Sequence, residues 1–145
     1  MPTYSITYNV SDLRAKVDEE VSKAAQRAVN KDGQALYDLV KIHSNDRNQI
    51  EGLIRDAMHS VALRFSDLST LQEAGGMYAL YLNAPDSILA NDIVESEITR
   101  YVTMKVVASW LVIRYPDYAK YYADIADDAL AKVVVAVRTR MKPTR

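Results

Sequence analysis

The residues that could do chemistry are few. The 145-residue chain has no cysteine, which excludes thiol catalysis, Cys-ligated zinc, iron–sulfur clusters and disulfide scaffolds. His43 and His59 are the only histidines. His59 falls on a helical pattern beside Arg55 and Asp56, where Glu51 or Asp56 could join it at a metal. Neither histidine has a His-x-x-x-His or Glu-x-x-His partner, so the ligand set is poor and both read as ordinary histidines. The paired carboxylates Glu19-Glu20, Glu95 with Glu97, and Asp127-Asp128 lie among basic residues on helical patterns, which is the signature of solvated faces. Gly75-Gly76 has neither a following Lys-Ser/Thr nor Gly-x-Gly spacing, and no Gly-x-Ser-x-Gly elbow occurs. The sequence therefore predicts no catalytic residue, no metal and no cofactor.

Two other residue types are better placed to make contacts. The chain has ten tyrosines against one Phe and one Trp. Tyr4, Tyr8, Tyr78 and Tyr81 fall on strand-like segments, and Tyr115, Tyr118, Tyr121 and Tyr122 cluster at the start of the last helix. A ring with a polar tip suits a half-buried position or a partner surface equally well. Tyr4, Tyr8, Tyr78, Tyr81, Tyr118 and Tyr121 are thus candidates for a subunit interface, with packing inside one chain as the alternative.

The basic residues are unevenly placed. Formal net charge is -1, from 18 Lys and Arg against 19 Asp and Glu. Every acid lies at or before Asp128, and Lys132, Arg138, Arg140, Lys142 and Arg145 follow it. Taking those five from 18 leaves 13 basic residues against 19 acids, so residues 1–128 carry -6 and 129–145 carry +5. Arg138 and Arg140 would complement a helix C-terminus. Lys142 and Arg145, beside Pro143, would not, and a basic tail at 141–145 can meet a phosphate backbone or an acidic protein surface.

The elements that must hold these residues follow from periodicity. Hydrophobic residues at 49% against 26% charged suffice for a core, and the length suits one domain. Residues 3–10 alternate, with Tyr4, Ile6, Tyr8 and Val10 on one side, which predicts a strand. Ser11-Asp12 offers an N-cap for a helix carrying Leu13, Val17, Val21, Ala24 and Ala28 and ending near Val29. Gln34–Ile42 reads as a short helix with Leu36, Leu39 and Val40 inward. Ser44-Asn45-Asp46 caps a third helix, with Asp46 and Gln49 at capping-box spacing. Its apolar stripe is Ile50, Leu53, Ile54, Ala57, Met58, Val61 and Phe65. Residues 77–82 predict a strand that would pair either with the N-terminal strand or with Ser66–Leu71.

A long helix is expected from about Ser87 to Arg114, amphipathic at first and then apolar nearly all round, as befits an element with several neighbours. Pro116 ends it. The last helix carries Tyr118, Tyr122, Ile125, Ala129, Val133 and Val137, with a strand over Val133–Val137 as a lesser alternative. The fold class is mainly α: a helical bundle with a long C-terminal antiparallel helix hairpin and a small β element at 3–10 and 77–82. The polar N-terminus has no signal-peptide pattern, so the chain is expected to remain where it is made. The longest apolar stretch, Tyr101–Ile113, is short of the roughly 20 residues that span a bilayer. No membrane association is expected.

In layout the chain resembles the head-to-tail connector (adaptor) proteins of tailed bacteriophages. The resemblance rests on the capped helix Asp46-Arg47-Asn48-Gln49-Ile50-Glu51-Gly52-Leu53-Ile54-Arg55-Asp56-Ala57, the β segment Met77–Leu82, and the helix end Tyr101-Val102-Thr103-Met104-Lys105-Val106-Val107-Ala108-Ser109-Trp110-Leu111. The Tyr-rich segment Tyr118-Ala119-Lys120-Tyr121-Tyr122-Ala123 and the basic tail complete it. It covers about residues 44–145 of the single domain, and residues 1–43 read as an N-terminal elaboration. The resemblance implies a structural virion protein, assembled in the bacterial host cytoplasm, whose copies form a ring between portal and tail proteins around the DNA channel. It carries no catalytic residues over. Non-specific DNA contact would fall to the basic tail. The alternative is a small α-helical nucleic-acid- or protein-binding module that uses that tail.

Overall fold

The computed structural model describes residues 3–67, 69–83 and 91–139. Strand β1 (Thr3–Asn9) runs directly into helix α1 (Val10–Arg27). The junction is capped two residues earlier than Ser11-Asp12 suggests. Asn9 is the N-cap, its Oδ1 accepting from Ser11 N at 2.9 Å and Ser11 Oγ at 2.7 Å. Asparagine takes the role because its short amide reaches the orphan N–H of the first turn from an extended backbone.

After α1, the chain makes one turn of helix, α2 (Tyr37–Val40), where the sequence suggested a nine-residue helix. Asn30 explains the difference, since its Oδ1 accepts from both Asp32 N and Gln34 N at 2.9 Å and organises a turn instead. Val29 and Ala35 form an isolated antiparallel bridge across it. With so short a helix only Val40 is fully buried, and Leu39, expected inward, is 71% exposed.

A 3-10 turn at Ser44–Asp46 leads into α3 (Arg47–Arg64). The capping box is formed by His43 and Asp46 rather than by Asp46 and Gln49; His43 N donates to Asp46 Oδ2 at 2.9 Å. The α3 stripe is as expected: Ile50, Ile54, Ala57, Met58, Val61 and Phe65 are buried, and Leu53 is half-buried.

Strands β2 (Ser69–Ala74) and β3 (Met77–Asn83) form a hairpin. Gly75 and Gly76 have φ of +60° and +76°, the two positive values that a type I′ turn needs. The two alternatives left open by the sequence are both occupied, the second by Ser69–Ala74 rather than Ser66–Leu71, because β3 is central in the order β1-β3-β2 and antiparallel to both neighbours. Register places Ile6, Leu80 and Leu71 in one row, and Tyr8, Tyr78 and Glu73 in the next. That face meets the helices. The outer edges of β1 and β2 have no further strand among the described residues.

Helices α4 (Asn91–Arg114) and α5 (Pro116–Thr139) pack along their lengths as the C-terminal pair. The expected start of α4 near Ser87 lies outside the described residues, and Val133–Val137 is helical. Trp110 and Leu111 are core residues, at 1% and 0% exposure. Residues of β1 and α1 join the same core cluster as α4 and α5, so the N-terminal segment is integral to the packing. Arg14 of α1 and Glu51 of α3 are tied at 2.7 Å.

Candidate functional site

The two ends of the helical layer present different surfaces. Their placement follows from the direction of α1, which leaves the sheet at Val10, where Val10 N donates to the carbonyl of Gly76 at 2.9 Å. Eighteen residues later, a span of about 27 Å, it reaches the turn between α4 and α5. There the Tyr115 hydroxyl donates to Val29 O at 3.3 Å and accepts from Val29 N at 3.4 Å. Trp110 Nε1 donates to the carbonyl of Val40 at 2.7 Å and so holds α2 at the same end. Arg114 caps the arrangement, its guanidinium 3.3 Å over the Trp110 ring.

This hairpin end is unusually apolar at its surface. Ile113 is 81% exposed and Val112 56%, and Leu39, Tyr121 and Val29 are exposed too. Helix α4 has the several neighbours expected of it, packing against α5, α3, α1 and α2, but its apolar girdle exceeds what they cover at this end. The opposite end carries the open strand edges and the outer sheet face, where Met77 is exposed and Tyr81 half-buried. Uncovered strand edges are templates for pairing with another chain.

The candidate tyrosines divide according to this geometry. Tyr8 and Tyr78 face the helices at 4% and 1% exposure, so their rings are used inside the chain and have no surface left for a partner. Burial pushes both phenols up, that of Tyr8 well above its ordinary range, with Glu95 adding to the effect at Tyr8 and Glu73 at Tyr78. Tyr118 is half-buried, edge-on to Tyr115 at 4.8 Å. Tyr121 is the open one, edge-on to Tyr122 at 5.2 Å. The Tyr4 side chain lies outside the described residues; its register position is opposite Leu82.

Of the basic candidates, Lys132 lies exposed on α5 and pairs with Asp128 at 3.3 Å, one turn before it. The Arg138 backbone belongs to α5, while its side chain and Arg140, Lys142 and Arg145 lie outside the described residues. Of the five, only Lys132 has a described side chain. His43 accompanies the capping box, its Nε2 2.8 Å from Asp38 O, and His59 is exposed. Among the described residues no three His, Asp or Glu side chains converge as a metal ion would require, and no helix is long and apolar enough to cross a membrane.

Of the exposed residues at the hairpin tip, Tyr121 was a sequence candidate, whereas Val112 and Ile113 escaped sequence reasoning. The signal was present in Val112-Ile113, the last two apolar residues before Arg114, but amphipathic bookkeeping assigns such residues to a core by default. No family model matches the chain, and no curated protein or solved structure matches it either.

Proposed function

We propose that the chain is a non-catalytic structural subunit that works as repeated copies in a ring, in the manner of a phage head-to-tail connector between portal and tail. The observation that carries this reading is the division of the molecule into two unlike, incompletely covered ends. One end exposes Val112, Ile113, Leu39 and Tyr121, and at the other the edges of β1 and β2 have no further strand among the described residues. Unlike surfaces at opposite ends suit heterologous contacts, which close into rings when the rotation between neighbours permits. The basic 129–145 segment would then be repeated around the channel, where many weak phosphate contacts add through avidity. Virion location and binding to portal and tail proteins belong to the same proposal.

Sedimentation velocity and native mass spectrometry across a concentration series, alone and with a portal ring, test it. Association in either setting supports a ring subunit. A chain that stays monomeric in both, and whose gene has no portal or capsid gene beside it, is something else. The charge asymmetry favours a second reading, a small nucleic-acid- or protein-binding module that uses the basic tail. That reading requires binding to generic DNA that is steeply salt-dependent and is lost on truncation at Met141.

A further inference from the structure

The outer edge of β1 is unguarded, and the order of its residues says what covers it. β1 is an edge strand, and its register with β3 runs unbroken from Thr3 opposite Asn83 to Asn9 opposite Met77. It therefore has no bulge. Thr3-Tyr4-Ser5-Ile6-Thr7-Tyr8-Asn9 also contains no charge, no proline and no glycine, and its β-branched and aromatic content favours pairing. Natural sheets usually block such an edge with a charge, a proline, a bulge or a covering segment. The other edge of this sheet is protected in that way. β2 carries Glu73 in the row of Tyr8 and Tyr78, on the side that meets the helices, and Arg55 holds it at 3.0 Å. On β1, every second residue turns its N–H and C=O away from β3, towards no further strand among the described residues.

A second copy of the chain fits this edge because the strand is close to a palindrome. Laid antiparallel to itself about Ile6, it opposes Ile6 to Ile6, Tyr4 to Tyr8, Ser5 to Thr7 and Thr3 to Asn9. Each pair matches in type: aliphatic, aromatic, hydroxyl, small polar. The faces match as well. Ile6 and Tyr8 are buried on the helix side, whereas Ser5, Thr7 and Asn9 are exposed on the other, and this register sets each group against its own kind. A slip of one residue would turn the second copy's buried side chains to the exposed face. No charge lies in the seam, so the pairing desolvates no ion.

We propose that two copies join through β1, antiparallel about a two-fold axis at Ile6, into a continuous sheet β2-β3-β1-β1-β3-β2 with both helical layers on one face. The contact is isologous and closes at two copies. Its seven residues make a seam about 24 Å long, narrower than a standard interface, so the dimer is reversible and concentration-dependent. It does not rest on the ring reading, and it leaves the hairpin tip and the β2 edge free for other contacts.

Cysteine cross-linking reads the register directly, since the chain has no cysteine of its own. Ser5→Cys chains are mixed with Thr7→Cys chains under mild oxidation, both substitutions falling at exposed positions. Directly opposed residues lie within disulfide reach, whereas position 5 against position 5 is two residues out of step, about 7–8 Å away and too far. The mixture should therefore give a cross-linked dimer, and neither variant alone should. Sedimentation velocity measures the affinity. Ser5→Lys combined with Thr7→Lys opposes like charges in two pairs and should weaken association about tenfold. Ser5→Glu combined with Thr7→Glu should do the same, and mixing the two double variants should restore it. The dimer should persist in Ile113→Lys, which separates it from association through the hairpin tip. Three results would overturn the proposal: monomers up to millimolar concentration, cross-linking of Ser5→Cys alone as fast as in the mixture, or cross-linking of Ser5→Cys to Thr70→Cys on β2 in preference to Thr7→Cys. None of them touches the tip, because Ile113 takes no part in this seam.

Discussion

At the scale of the residue, Trp110 concentrates more of the fold than any other side chain. Its ring is 1% exposed, its Nε1 satisfies the carbonyl of Val40 at 2.7 Å, and Arg114 lies 3.3 Å over its face while donating back to Trp110 O at 3.2 Å. Trp110→Ala removes the ring and orphans that carbonyl, and should cost about 3–5 kcal/mol in chemical denaturation. A loss below about 1 kcal/mol would show that α2 detaches at little expense. The buried tyrosines give a second prediction. Tyr8, Tyr78 and Tyr122 are raised chiefly by burial, so each holds its proton more tightly folded than unfolded. Their contribution is fully present below the unfolded value of about 10 and is lost as pH rises through the folded values. The denaturation midpoint should therefore fall above about pH 10, with tyrosinate absorbance from these rings appearing as the chain unfolds. A midpoint flat to about pH 12 would mean that these phenols ionise in place.

At the scale of the element, two glycines that both leave open space around an added Cβ should respond with opposite signs. Gly76 has φ of +76° and nothing within 4 Å, so Gly76→Ala is penalised by its backbone alone, at about 1–2 kcal/mol. Gly52 lies inside α3 with nothing within 4 Å and no positive φ, so Gly52→Ala should stabilise by about 0.4–1 kcal/mol. Thermal melts of the two variants, moving apart from wild type, check both. The same contrast between local chemistry and long-range pattern explains what could be read beforehand. The strand at β1, the α3 stripe and the helix hairpin each repeat one signal over many residues, the stop rests on the strong local signal of Pro116, and each is found. The capping of α1 by Asn9 and the collapse of Gln34–Ile42 to a single turn were set by two asparagine side chains, whose competing hydrogen bonds leave no periodic trace. Strand β2 was legible only in part, since the segment offered as a partner, Ser66–Leu71, is displaced from the strand at Ser69–Ala74. Ser69-Thr70-Leu71-Gln72-Glu73-Ala74 is nearly polar throughout, and its pairing is imposed by the Gly75-Gly76 turn and by Arg55 holding Glu73 at 3.0 Å. The exposure of Val112 and Ile113 was not legible either, because which apolar residues a core leaves uncovered is a property of packing and has no counterpart in the order of residues.

At the scale of the whole molecule, the ring and module readings predict different consequences from two small changes at different places. Ile113 is 81% exposed and supports nothing in the core, so Ile113→Lys should leave monomer stability within about 0.5 kcal/mol. If the hairpin tip is a subunit contact, that same change desolvates a charge at the interface and should shift the sedimentation profile towards monomer. The basic tail tests the other end of the argument. Truncation after Met141 removes Lys142 and Arg145, and each phosphate contact contributes about 0.9 to the slope of log affinity against log salt on duplex DNA. A module that binds through its tail should therefore lose up to about 1.8 in that slope and keep its monomeric state. A ring subunit should respond in the opposite pattern, with association sensitive to Ile113 and only weakly to the tail, because one copy's two charges are a minor part of a contact repeated around a channel. Measuring both variants in both assays gives four outcomes. Sensitivity of association to Ile113→Lys with little effect of truncation supports the ring; loss of DNA binding on truncation with no association to lose supports the module. Insensitivity in all four would leave the exposed tip as ordinary surface and remove the ground for either interface.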